Sequence, residues 1–199
     1  MSDPVKNKVK FGLSKCYYAV ATIASDGTAT FGSPKPLPGA VSLSLDAQGE
    51  ITPFRADNMD YWISSSNNGY EGDLELAIIP ESFKADVLNE YEDTTQKVFY
   101  ETTDADPTHF ALLFQFEGDA HATRHVLYNC VATRPTVNGE TTPTGGIEPQ
   151  TETISVTASS IYNAGLQKSL VKASSKSDTT SGVYNAWYNA VTVPTAATT

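Results

Sequence analysis

Residues Gly39–Gly72 read GAVSLSLDAQGEITPFRADNMDYWISSSNNGYEG, and Asp73–Ile79 follow as DLELAII. Both ends of this region alternate apolar and polar residues, which is typical of strands that bury one face. The apolar positions are Val41, Leu43 and Leu45 in the first strand and Leu74, Leu76 and Ile78 in the second. The sequence therefore predicts two half-buried strands, Ala40–Asp46 and Asp73–Ile79, separated by a long polar and aromatic insertion.

Strand patterns continue on both sides of this region. The further predicted strands are Lys15–Ala24, Thr28–Phe31, His109–Phe116, Arg124–Thr133 and Thr151–Ala158. HFALLFQF is apolar on both faces, so it is expected at the centre of a sheet. One helix is predicted from Pro80 to about Asp93, because proline favours the first helical turn and Phe83, Val87 and Leu88 recur at helical spacing.

Two long connections interrupt the strand pattern. Phe54–Gly72 and Arg134–Gln150 are polar or rich in Pro, Gly and Thr, and both are predicted as exposed loops. Long loops in compact domains are uncommon unless they are functional or disordered. The first loop also carries aromatic residues of the kind that anchor interfaces: Phe54, Tyr61, Trp62 and Tyr70. Contact with a partner is therefore the expected role of this loop.

The amino-acid composition argues against some classes of function. The 199 residues carry a net charge of −10, and the 13 Lys and Arg residues are scattered, which argues against binding along nucleic acid. The length predicts one domain over residues 1–199, with a flexible N-terminal arm of about residues 1–10 and a C-terminal tail of about residues 194–199. Without an apolar run of membrane-spanning length or an apolar leader, synthesis in the cytoplasm and no membrane association are expected.

No motif for catalysis or for a cofactor is present, so the chain is not expected to be an enzyme or to bind a cofactor or metal. Cys16 and Cys130 lie in apolar strand patterns and are interpreted as buried thiols, with a disulfide as the less favoured alternative. His121 and His125 are four residues apart, but EGDAHATRHVLY has the pattern of a turn entering a strand. They are interpreted as turn and strand residues.

The order of several segments carries a family resemblance. FRADNMDYWISSSNNGYEGDLELAIIPESF is followed by HFALLFQFEGDAHATRHVLYNCVA, then TETISVTAS, and finally VYNAWYNAVTVP. In this order the chain resembles the major tail proteins of bacteriophages with long, non-contractile tails. The resemblance implies a mainly β tail-tube domain, a β-sandwich or partly closed barrel with one flanking helix and long exposed loops.

The resemblance also implies a role in the virion. Such subunits form hexameric rings that stack into the tail tube, assembled in the host cytoplasm, and DNA passes through the lumen without specific binding. The implied partners are further copies of the chain, a tape-measure protein, and tail terminator and initiator proteins. The long loop is implied to reach a neighbouring subunit or ring through Phe54, Asp57, Asn58, Tyr61, Trp62 and Tyr70.

An acidic lumen would repel the DNA backbone and let it slide. Carboxylates on the polar faces of the two opening strands are the candidates for its wall: Asp73 and Glu75 first, then Asp46 and Glu50. Two alternatives remain at the level of sequence. One is another β-sandwich module of a virion or secretion tube, and the other is a carbohydrate-binding or adhesive β-sandwich, which exposed Trp and Tyr would favour.

Overall fold

The computed structural model describes residues 6–142, 145–146 and 148–196, so the predicted arm and tail lie partly outside it, at residues 1–5 and 197–199. The described strands are β1 (Lys10–Ile23), β2 (Ala29–Phe31), β3 (Lys35–Pro36), β4 (Ala40–Gln48), β5 (Ile51–Ala56), β6 (Met59–Ser65), β7 (Gly69–Leu76), β8 (Tyr91–Asp93), β9 (Val98–Tyr100), β10 (Phe110–Gly118), β11 (Thr123–Ala132), β12 (Glu152–Ser159), β13 (Ile161–Asn163), β14 (Lys168–Leu170) and β15 (Lys172–Ser174). The helices are α1 (Glu81–Asp86) and α2 (Ser181–Ala186).

Nine strands form one antiparallel sheet in the order β2-β1-β10-β11-β12-β7-β4, with β3 paired to β1 and β15 paired to β11. Three separate hairpins are formed by β5–β6, β8–β9 and β13–β14. The large sheet curls until β1 contacts β4 across its concave face, but these two strands do not pair. The mainly β prediction is confirmed, and the sheets do not close into a barrel, which is consistent with the expected β-sandwich. Two short helices are present among the described residues where one was expected.

Apolar side chains pack on both faces of the large sheet. The concave face buries Tyr18, Phe110 and Leu112 beneath Phe83 of α1. The opposite face buries Leu113 and Tyr128, among others, beneath the C-terminal segment, in which Trp187 is buried. Strand β10 is therefore covered on both sides, as predicted for a central strand.

A buried arginine helps to hold the C-terminal segment against the sheet. Arg124 donates from Nε to Gln115 Oε1 at 3.1 Å and from Nη1 to the carbonyl oxygen of Tyr184. Its guanidinium also lies over the Tyr184 ring, 3.7 Å from the centroid. Helix α2 was not predicted, because these contacts come from a strand about 60 residues away in sequence.

The predicted helix is correct at its start and wrong at its end. Pro80 precedes α1 as its N-cap, but α1 ends at Asp86, and Tyr91–Asp93 form a strand instead. Asn89 adopts a left-handed backbone conformation with φ of 55°, which ends the helical path. The carboxylates that follow would also be unfavourable at the negative end of the helix dipole.

The alternation rule misplaced two side chains. Val41 was expected on the buried face, but a bulge between Ala40 and Ser42 leaves it 52% exposed. Ile78 was expected to face the core, but β7 ends at Leu76, and Ile78 is 70% exposed while its neighbour Ile79 is buried. The other apolar side chains of these two strands, Leu43, Leu45, Leu74 and Leu76, belong to the concave core or pack against it.

Gly72 permits the close approach of β7 to β4, because a Cβ atom at this position would overlap the carbonyl oxygen of Ser44. We expect Gly72→Ala to lower the free energy of unfolding by about 3 kcal/mol, since the overlapping atom belongs to the backbone of β4, which its pairing with β7 holds in place. Chemical denaturation measures this change. Gly139→Ala is the control, because nothing lies within 4 Å of a Cβ there, and its stability should stay near that of the wild type. Equal stability of both variants would contradict the expectation.

Candidate assembly surfaces

The segment predicted as the first exposed loop is exposed, but most of it is folded as a two-stranded ribbon. Strands β5 and β6 continue the ladder of β4 and β7 through hydrogen bonds at its base, from Asn68 N to the Gln48 carbonyl at 2.8 Å and from Ser66 N to the Glu50 carbonyl at 2.9 Å. At the tip, Asp57 and Asn58 have φ of 51° and 61° and form a two-residue turn. This is the turn geometry that joins antiparallel strands most tightly.

The ribbon, residues 51–65, has apolar side chains on both faces. Phe54 pairs with Trp62 on one face, and Pro53 pairs with Ile63 on the other. Six large apolar side chains are each more than half exposed: Ile51, Phe54, Met59, Tyr61, Trp62 and Ile63. Together they expose roughly 700 Å² of apolar surface, close to what one partner contributes to a standard protein interface. The ribbon therefore has the character of an interface element.

Five of the six predicted loop residues lie in the ribbon or its turn: Phe54, Asp57, Asn58, Tyr61 and Trp62. Tyr70 does not, because β7 begins at Gly69 and places Tyr70 against the concave core. The Nζ atom of Lys172 lies 4.5 Å from the centre of the Tyr70 ring. The sixth residue therefore belongs to a different surface.

Carboxylates cluster on the polar face of β7 and its neighbours. Asp73 lies opposite Ser44 of β4 and Ser155 of β12, and Glu75 lies opposite Ser42 and Thr153. Asp46 faces Glu71 across the same strand pair. We call this set, Asp46, Glu71, Asp73 and Glu75, the acidic face. Glu71 was left out of the predicted set although it continues the alternation of Asp73 and Glu75, and Glu50 lies beyond the β4–β7 pairing, at the base of the ribbon.

Hydroxyl groups of the neighbouring strands and of Thr151 donate hydrogen bonds to two carboxylates of the acidic face. Glu75 accepts hydrogen bonds from Thr151 at 2.6 Å and Ser42 at 2.7 Å, and these lower the pKa of its carboxyl group. Asp73 accepts one from Ser155 at 2.7 Å. The ion pairs found among the described residues involve no carboxylate of this face. The face is therefore negative and hydrated, without compensating cations.

A cavity of about 250 Å³ opens at the end of the concave core from which the ribbon emerges. We call it the mouth pocket, and the side chains that line it include Tyr70, Phe114, Phe116, His125, Lys10 and Lys172. His125 stacks on Phe114 with ring centres 5.1 Å apart. Burial, then Lys172 and Lys10, lower the pKa of His125 to about 4. His125 is therefore neutral at pH 7.

The part of the chain that is described contains no cluster of metal ligands and no exposed thiol. No group of three or more His, Cys, Asp or Glu residues there could hold a metal ion. Cys16 and Cys130 are free and buried, and burial raises the pKa of each thiol to about 12, so the interpretation as buried thiols is confirmed. Neither described helix has the length and apolar character needed to cross a membrane.

The buried imidazole predicts a pH dependence of stability. The folded-state pKa of His125, about 4, is below the unfolded value of about 6.5, so the unfolded chain binds more protons between these values. Stability should therefore fall from pH 7 to pH 5, by about 1 kcal/mol after discounting for partial exposure. His125→Phe should abolish this part of the pH dependence in denaturation experiments, whereas His121→Gln should retain it. A wild-type slope in His125→Phe would contradict the assignment.

Comparison with models of known protein families gives a match. A family model described as "Phage tail tube protein" matches residues 5–192, nearly the whole chain. A search of curated protein sequences finds no match.

Proposed function

Because the chain belongs to the phage tail tube protein family, we propose that its copies form hexameric rings that stack into the tube through which phage DNA passes. Membership of this family makes the chain a structural component of the phage tail. We therefore expect the chain to have a structural role and no enzymatic activity. The ribbon supports the proposed contact between copies, because it projects from the sheet with exposed apolar side chains on both of its faces. A neighbouring copy supplies the surface that covers it.

The acidic face is the proposed lumen wall. Its side chains point away from the core on two adjacent strands, β4 and β7, so six copies would present a continuous hydrated surface. Carboxylates on that surface repel phosphate, and DNA would pass without binding. The proposed wall includes three of the carboxylates that the sequence suggested, Asp46, Asp73 and Glu75, together with Glu71. Glu50 would lie at the edge of this wall, where the ribbon begins.

The proposal includes further partners and a place of assembly. A tube of defined length needs a protein that sets the length and proteins that start and close the polymer. A tape-measure protein and tail initiator and terminator proteins fill these roles, and assembly occurs in the host cytoplasm. The finished tube is part of the virion.

Removing the ribbon aromatics tests the assembly role. We expect the concentrated wild-type chain to form rings or hollow tubes in electron micrographs, and Phe54→Ser with Trp62→Ser to stay monomeric at the same concentration. The fold should persist, because both side chains are more than half exposed and lie outside the sheet core. Thermal unfolding measures fold retention.

Tyr162→Ser is the matched control, since it removes an exposed aromatic side chain from the β13–β14 hairpin. It should form tubes as the wild type does. Tubes from the ribbon variant would show that the ribbon is not the contact. A wild-type chain that forms neither rings nor tubes, even with the tail initiator protein present, would overturn the proposed function.

Reversing charge on the acidic face tests the lumen. Replacing Asp73 and Glu75 by Lys changes the net charge by +4, from −10 to −6 per copy. DNA phosphates should then bind the wall with an affinity that falls as salt rises, because counterions are released. We expect phage carrying this variant to have tails of normal appearance, and DNA ejection to be slow at low salt and faster at high salt.

The charge control is Glu140→Lys with Glu148→Lys, an equal change on the exposed β11–β12 connection. It should leave the ejection rate unchanged. Normal ejection at low salt by the Asp73 and Glu75 variant would show that these carboxylates lie away from the DNA path.

A further inference from the structure

The concave core is covered at one end and open at the other. At the covered end, Phe83 of α1 packs edge-on against Tyr18 and Phe110, with ring centres 5.0 Å and 5.5 Å apart. At the open end, no described element covers the mouth pocket, and the side chains of Tyr70 and Phe116 are only partly buried. Apolar core surface is thus left accessible to another molecule.

The chemistry of the mouth pocket suits an acidic, aromatic ligand. Its walls are aromatic, and Lys10 and Lys172 lie over the rings of Phe116 and Tyr70 at 4.7 Å and 4.5 Å. Neither lysine forms an ion pair with the described residues. In a chain of net charge −10, a pocket whose formal charges are two unpaired lysines favours a partner that carries carboxylates.

A segment of the same chain has this chemistry. The β8–β9 hairpin, residues 91–100, is here called the aromatic hairpin, and the rings of Tyr91 and Tyr100 stack on it 5.6 Å apart. Val98 and Phe99 are also exposed. Residues 90–101 contain four carboxylates and one lysine, a net charge of −3. The lysine, Lys97, pairs with Glu92 at 3.2 Å, and both side chains are exposed. The aromatic hairpin therefore complements the mouth pocket in both apolar character and charge.

The two surfaces lie at opposite ends of the molecule. Glu101, at the base of the aromatic hairpin, pairs at 2.6 Å with Arg134, which lies two residues after the end of β11. His125 lines the mouth pocket near the start of β11. Nine residues of extended chain separate these points, about 30 Å. A copy therefore cannot fill its own pocket, and the two surfaces can meet only between copies.

We propose that the mouth pocket of one copy binds the aromatic hairpin of the next copy along the tube. A contact between two different surfaces forms a ring when its rotation closes and an open polymer when it does not. Surfaces at opposite ends of a subunit suit the open, axial polymer. This contact rests on the proposed function, because it assumes that the copies form a tube. It adds to that function the two surfaces that join successive rings. The ribbon is then free to contact other neighbours.

Zero-length cross-linking tests the contact directly. A carbodiimide joins a lysine amine to a carboxylate only at ion-pair distance. We expect the concentrated full chain, mixed from isotope-labelled and unlabelled copies, to give mixed-isotope peptides that join Lys10 or Lys172 to residues 90–101. Tubes without these cross-links would overturn the contact and leave the proposed function standing. Cross-links in polymers that are not tubes would support the contact and overturn the proposed function.

Charge reversal supplies a second test. Lys172→Glu should raise the protein concentration needed for assembly about tenfold, the equivalent of one lost charge pair at an interface. Lys168→Glu is the matched control, because this exposed lysine lies four residues away and outside the pocket, and it should assemble as the wild type does. Adding Glu92→Lys to Lys172→Glu should restore assembly. Equal effects of the two single variants, or no rescue, would overturn the contact.

Discussion

The register between β4, β7 and β12 is the constraint on which the other surfaces depend. Leu74 lies between Leu43 and Ile154, while its neighbour Asp73 lies between Ser44 and Ser155. A slip of one residue would bury the carboxylates and expose the leucines, because side chains alternate strictly along a strand. Burying an unpaired carboxylate costs far more than an apolar contact returns. One register therefore determines both the core and the acidic face.

The ribbon takes its direction from the same strands. A two-stranded hairpin is only marginally stable alone, so the hydrogen bonds at its base anchor it to the nine-stranded sheet. Its two faces have no core of their own, and their apolar side chains are exposed in the single chain. Covering these side chains would release free energy in proportion to the apolar area removed from water. The proposed assembly would therefore be stabilised by ribbon side chains that do not stabilise the folded single chain.

Local sequence patterns predicted the structural features that depend on the alternation of residues along a strand. They missed the features that depend on contacts between residues distant in sequence. The central strand was predicted because HFALLFQF is apolar on both faces, and β10 is buried on both. The helix end was missed because a single left-handed residue, Asn89, ends it. The ribbon was predicted only as a loop, although Asp57-Asn58 between two runs rich in apolar residues is a turn signal. Helix α2 depends on Arg124, which no local pattern identifies.

The salt dependence of the proposed contacts follows from their chemistry. At physiological ionic strength, charges separated by more than about 8 Å are largely screened, so carboxylates facing each other across a lumen wide enough for DNA repel one another weakly. The same carboxylates act strongly on a phosphate that comes close to the wall. Apolar contacts made by the ribbon are not screened, and salt strengthens them slightly. In the proposed tube, copies would therefore gather several carboxylates around one channel at little electrostatic cost, and the proposed wall would still keep DNA from binding.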